Sequence, residues 1–159
     1  WQSANVATHS LHQPRHATLD QTTDRPTMPR QFTSTFTVSN WDERELPGGP
    51  HALRHAAAHY AVSYIGEVSG TSTIDLGMVY TPAGPVPYTG YEFFEGQIGR
   101  RSGTVVFEHA GVYDGDGATS ELSVVEGTAT GDFAGATLSG HWFAPPDGDG
   151  ALMIIDATD

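Results

Sequence analysis

The stretch that decides the fold runs from Tyr88 to Tyr113, YTGYEFFEGQIGRRSGTVVFEHAGVY. Two segments rich in aromatic and β-branched residues flank G-R-R-S, which reads as a hairpin. With Arg100 and Arg101 as a two-residue turn, Gly99 faces Ser102 and opposed residue numbers sum to 201. That register sets Tyr88 opposite Tyr113, Gly90 opposite Gly111, Glu92 opposite His109, Phe94 opposite Phe107 and Gly96 opposite Val105. Side chains alternate along a strand, so these pairs share one face. The face is aromatic, relieved by glycine and free of charge except for Glu92 and His109, and is assigned to the interior. A slip of one residue would exchange the two faces.

Working outward, the same strand–turn–strand rhythm continues in both directions. Q-F-T-S-T-F-T-V-S-N from Gln31 alternates as a strand, and Ala57 to Ile65 and Thr71 to Tyr80 follow with Gly66 and Gly70 at a bend. Beyond the hairpin, D-G-D-G at Asp114 turns the chain into Thr119 to Glu126. Strands near Ala136 to Phe143 and Ala151 to Ala157 close the set. Eight strands punctuated by turns imply an all-β fold, an antiparallel barrel or sandwich. H-A-L-R-H-A-A-A-H-Y is the exception, with helix formers and histidines at His51, His55 and His59. Its end is read as strand, and 50–55 is left open. Residues 1–29 form a polar N-terminal extension, a tail or a lid across the domain, ahead of a barrel domain at 30–159. Met28 is a plausible alternative start.

Composition narrows the function. The 159 residues hold 19 Gly and 10 Pro, more than a helical bundle would absorb. The formal charge is −12 and all seven cations are arginine. Such a balance argues against nucleic acid or an anionic membrane as partner. With no cysteine there are no disulfides or thiolate sites, and with no lysine there is no Schiff-base chemistry. No apolar run approaches the ~18 residues of a membrane span, and a cytoplasmic location is expected.

Three stretches together, TFTVSNWDE from Thr35, the hairpin above, and VVEGTATGDFAGATLSG from Val124, resemble a family of small bacterial proteins of unknown function. That family's fold is similar to the allene oxide cyclase barrel. The likeness spans Phe32 to Ala157 and implies an eight-stranded antiparallel barrel with an internal cavity. Relatives of that shape include isomerases and natural-product cyclases acting on apolar substrates. The residues that perform allene oxide cyclisation do not map onto this chain, and none is carried over.

The candidate catalytic residues are Glu92, His109 and Asp75. An interior acid beside an imidazole can exchange protons, as a general acid–base pair requires. A structural pair tying two strands together is the alternative. If Asp75 shares the interior with Glu92, the two carboxylates compete for one proton, which would permit acid-type self-cleavage; a solvated, outward Asp75 is the alternative. Tyr88, Phe94, Phe107, Tyr113, Trp41, Trp142 and Tyr64 are expected to shape an apolar substrate site, although tyrosines and tryptophans are as often core. Leu76 and Met78 are read as core. His51, His55 and His59, with His109 or His141, lack an established metal-ligand spacing, and the D-G-D-G segments at Asp114 and Asp147 lack the frame of a calcium loop, so no metal or other cofactor is expected.

The preferred reading is a cofactor-independent cyclase or isomerase taking a polyketide- or polyene-like molecule into the barrel, as a monomer or a homo-oligomer. Abundant Ala, Gly and Arg without lysine suit a high-GC, actinobacterial genome. A non-catalytic carrier of apolar ligands and a self-processing peptidase are the alternatives.

Overall fold

The computed structural model describes residues 28–48 and 53–158. The eight strands are β1 (Arg30–Leu46), β2 (His55–Gly66), β3 (Val68–Val79), β4 (Val86–Ile98), β5 (Arg101–Asp114), β6 (Gly117–Val124), β7 (Leu138–Ala144) and β8 (Gly150–Asp156). Each pairs antiparallel with its sequence neighbours, and β8 returns to β1, closing the barrel. Closure leaves no free sheet edge. A 3₁₀ turn, Gly131–Phe133, sits in the β6–β7 connection. No helix among the described residues is long and apolar enough to cross a membrane. Residues 1–27 of the polar extension and 50–52 of the open segment lie outside the described residues, whereas His55 and His59 belong to β2.

Strand alternation assigns the interior. On β4, Val86, Tyr88, Glu92, Phe94 and Ile98 are buried while Tyr91, Phe93 and Glu95 are exposed. The hairpin register differs from the expected one by two residues: Ile98 pairs with Arg101, Glu92 with Phe107 and Gly90 with His109. The turn is therefore Gly99–Arg100. Gly99 takes φ +60, and Asn40 is the one non-glycine residue with positive φ among those described. A positive first residue followed by a negative one is the pattern of a type II′ turn, which places glycine first and matches the strand twist. Two arginines would have had to supply that geometry in the register expected from sequence. Because the displacement is even, Glu92 and His109 keep their inward face.

The barrel has two unlike ends. At the end where β4 turns into β5, Phe133 folds in from the β6–β7 connection, is fully buried, and packs 6.1 Å from the Phe94 ring. Phe94 in turn meets Phe107 at 6.4 Å, so this end is plugged by aromatic side chains. Glycines make room for such rings. A Cβ at Gly111 would meet the Tyr88 ring and hydroxyl at 2.7 Å, and one at Gly150 would overlap the Phe36 ring. The opposite end, carrying the β3–β4, β5–β6 and β7–β8 connections, is open. β1 begins at the plugged end, with Arg30 exposed there.

β1 runs past the expected Asn40 to Leu46, through a bulge. The register with β2 shifts between Ser39 (opposite Ala61) and Asp42 (opposite His59). Asn40 adopts φ 55, a conformation asparagine tolerates better than most residues. The extra residue reverses which side chains face inward beyond this point.

Candidate functional cavity

The open end leads into a cavity of about 440 Å³. Trp41, Tyr60, Tyr80, Tyr88, Tyr113 and Trp142 supply its aromatic surface, with Val38, Leu76, Met78, Val86 and Ala118 between them. Its size lies in the ~300–1,000 Å³ range usual for small-molecule sites. Tyr88 reaches from β4 across Gly111 to β6, where its hydroxyl and the Ser120 hydroxyl are 2.5 Å apart. Trp41, carried by the bulge, lies half exposed over Tyr60 with ring centroids 4.7 Å apart.

Below this level the interior is sealed and polar at its centre. Glu92 and His109 are 1% and 0% exposed. His109 Nε2 lies 2.6 Å from Glu92 Oε2, and the Tyr64 hydroxyl donates to Glu92 Oε1 at 2.5 Å. Both carboxylate oxygens are thus satisfied, as a buried acid requires. His109 Nδ1 has no hydrogen-bond partner, and the His109 ring stands edge-on to Trp142 at 5.6 Å. Burial, then the charge of Glu92 and the hydrogen bond to it, push the Tyr64 hydroxyl well above the ordinary tyrosine value of 10.0. Tyr60 is raised by burial and then by Tyr88 and Glu92. Burial raises Tyr88 as well, opposed by its bond to Ser120. These phenols hold their protons throughout the neutral range and can act as hydrogen-bond donors.

The DUF3224 family model, described as a protein of unknown function, matches residues 32–153. The chain belongs to the DUF3224 family. A crystal structure of a DUF3224 protein of unknown function from Shewanella oneidensis MR-1 superposes with a TM-score of 0.65 at 18% identity, covering 83% of this chain and 99% of that one. At that identity the likeness speaks for the fold alone. No curated protein matches.

In this DUF3224 barrel the residues singled out by sequence fall into three groups. Tyr88, Tyr113, Trp41 and Trp142 line the open cavity. Glu92, His109, Tyr64, Phe94 and Phe107 lie in the sealed interior beneath it, none of them in the cavity lining. Glu92 and His109 do contact, although they are diagonal rather than opposite. Asp75 is outside: it sits opposite Tyr91, its side chain is exposed, and its Oδ1 is 2.6 Å from His59 Nδ1. The sheet separates it from Glu92, so the two carboxylates share no proton. His141, on the outer wall of β7, pairs with Glu121 at 2.8 Å. Leu76 and Met78 belong to the core, as expected, and also wall the cavity.

Glu43 is the residue that sequence alternation misses. The bulge turns it into the cavity mouth, where the Tyr80 hydroxyl donates to Oε1 and Oε2 at 3.0 and 2.9 Å. Arg54 lies over the Tyr80 ring, 4.0 Å from its centroid. An asparagine within an alternating strand was the available signal, since Asn favours the left-handed conformation such a bulge needs.

Proposed function

We propose that this DUF3224 protein binds a small, largely apolar organic molecule in the open cavity of its barrel. The observation that carries this reading is the approximately 440 Å³ aromatic-walled space above a closed floor. A barrel of this size otherwise fills its lumen with side chains, as this one does in its lower half. An unfilled apolar space is hydrated at a cost, and an apolar ligand relieves that cost. A polyene- or polyketide-like body would suit the aromatic and aliphatic lining.

Cofactor-independent cyclisation or isomerisation of that ligand is the second reading, and the Tyr88 hydroxyl favours it. It is held by Ser120 beside the cavity wall, and burial keeps it protonated, able to polarise a ligand carbonyl. Glu92 and His109 would then act from beneath, by fixing the interior, rather than by touching the ligand. Self-processing by paired carboxylates has no support from the separated Asp75 and Glu92.

The test is titration with Nile red, a neutral fluorescent probe, against wild type and Ala118→Trp. Ala118 lines the cavity, and a tryptophan there fills it. Saturable binding to wild type, weakened at least tenfold in a folded Ala118→Trp, supports the reading. No binding to wild type, or equal affinity for both proteins, contradicts it.

A further inference from the structure

Among the described residues, the cavity lining is strongly aromatic and carries one charged group, the carboxylate of Glu43. We infer that the ligand is an organic cation, an apolar body bearing an ammonium or similar head group that sits at the mouth. This rests on the small-molecule reading above and specifies its chemical class.

Three observations converge. First, the aromatic side chains of Trp41, Tyr80, Tyr88, Tyr113 and Trp142 line the space, and aromatic rings attract cations through their quadrupole. The protein already seats one cation on this rim, the Arg54 guanidinium on Tyr80. Second, Glu43 retains acceptor capacity. Among the described residues its hydrogen bonds come from the single Tyr80 proton, and Arg54 stands 3.7 Å away, beyond hydrogen-bonding distance. Arg54 is also shared with Glu45 at 3.3 Å, so the rim cluster is net negative. A carboxylate with free lone pairs facing an apolar space is matched by a cation or a strong donor.

Third, the surrounding field has the right sign. The two D-G-D-G segments both lie at the open end. They place Asp114, Asp116, Asp147 and Asp149 in the connections whose flanking residues Tyr113, Ala118 and Pro146 line the cavity. At the plugged end Arg30, Arg100 and Arg101 are accompanied by Asp132 and Asp156, and Arg30 and Arg101 both approach Asp156. Among the described residues, the four aspartates at the mouth have no ion-pair partner, whereas Asp156 has two. Such a field draws cations inward and repels anions, and its reach shrinks with added salt.

The test compares two probes of the same shape, naphthylmethyl-trimethylammonium and its neutral carbon isostere, in which a quaternary carbon replaces nitrogen. Affinities are measured by tryptophan quenching at low and high salt, on wild type and Glu43→Gln, with folding confirmed by circular dichroism. The cation is expected to bind wild type at least tenfold tighter than the isostere at low salt. Added salt should narrow the gap, and Glu43→Gln should reduce it to within about threefold. If Glu43→Gln fails to fold, the wild-type preference and its salt dependence still decide the matter. Equal binding of the two probes, or tighter binding of the isostere, overturns the cationic assignment and leaves the small-molecule reading standing. Failure of both probes and of Nile red overturns both.

Discussion

Glu92 is a carboxylate held where almost no water reaches it, and His109 and Tyr64 are what make that tolerable. Removing one partner of such a pair strands the other, which costs about 3–5 kcal/mol. His109→Leu is therefore expected to lower unfolding free energy by about that amount in urea titration. Tyr64→Phe, which removes one donor, should cost about 1–3 kcal/mol. Because none of the three lines the cavity, a folded Glu92→Gln should bind Nile red within about threefold of wild type; loss of binding with the fold intact would make the pair a ligand contact after all. The tyrosines give a second expectation. Tyr60, Tyr64 and Tyr88 are all raised above 10.0, so in the folded state they keep protons that the unfolded chain gives up. Their contribution to stability is complete below pH 10 and is lost as pH climbs above it toward their folded values. Spectrophotometric titration should show these phenols ionising only together with loss of near-ultraviolet dichroism. Ionisation well before that loss would contradict their burial. At this scale the sequence was readable where alternation is strict, as at Glu92 and His109. It left both faces open at Asp75, whose orientation hung on an unknown loop register, and it missed Glu43, whose face is reversed by an irregularity upstream.

Turns and bulges, rather than strands, decide where side chains end up. The hairpin strands were visible from their aromatic and β-branched residues, but the turn position rested on which two of Gly99, Arg100 and Arg101 form the loop. Positive φ settles it in favour of Gly99–Arg100. Gly99→Ala should cost about 1–2 kcal/mol for the left-handed backbone alone, and the added Cβ would meet the Phe32 ring at 2.6 Å. Arg100→Ala, at the exposed second position, should stay within about 0.5 kcal/mol. Similar losses at both positions would argue for the other register. The bulge at Asn40 had no comparable signature beyond the asparagine itself, yet it seats Trp41 on Tyr60 and turns Glu43 inward. Asn40→Val, a β-branched residue ill suited to that backbone, should lower both stability and Nile red affinity. A variant that melts like wild type and binds normally would show that the bulge does not shape the mouth.

For the molecule as a whole, closure and an unfilled upper lumen are the defining features. Closure is reinforced at the plugged end, where Arg30 of β1 and Arg101 of β5 approach the buried Asp156 of β8 at 3.5 and 3.4 Å. Burial alone would raise that carboxyl, but hydrogen bonds from Thr158 and the two guanidinium groups outweigh it and hold the pKa below the ordinary 3.8. Asp156 therefore adds stability that is complete above 3.8 and fades as pH falls from there toward its folded value. Asp156→Asn should melt lower than wild type at neutral pH, with the difference shrinking under strongly acid conditions; a constant gap would show that its charge is not what matters. The eight-strand barrel was legible from turn spacing and the family likeness. The division into a plugged half and an open half was not, because it depends on Phe133 folding back from a segment that reads as loop. The open half is the account's central claim, and the indole N–H resonances of Trp41 and Trp142 report on it most directly. Titrating the protein with Nile red should shift both signals, while the buried His109 ring resonances, below the floor, move little. Saturating probe that leaves the two indoles unmoved would contradict the account.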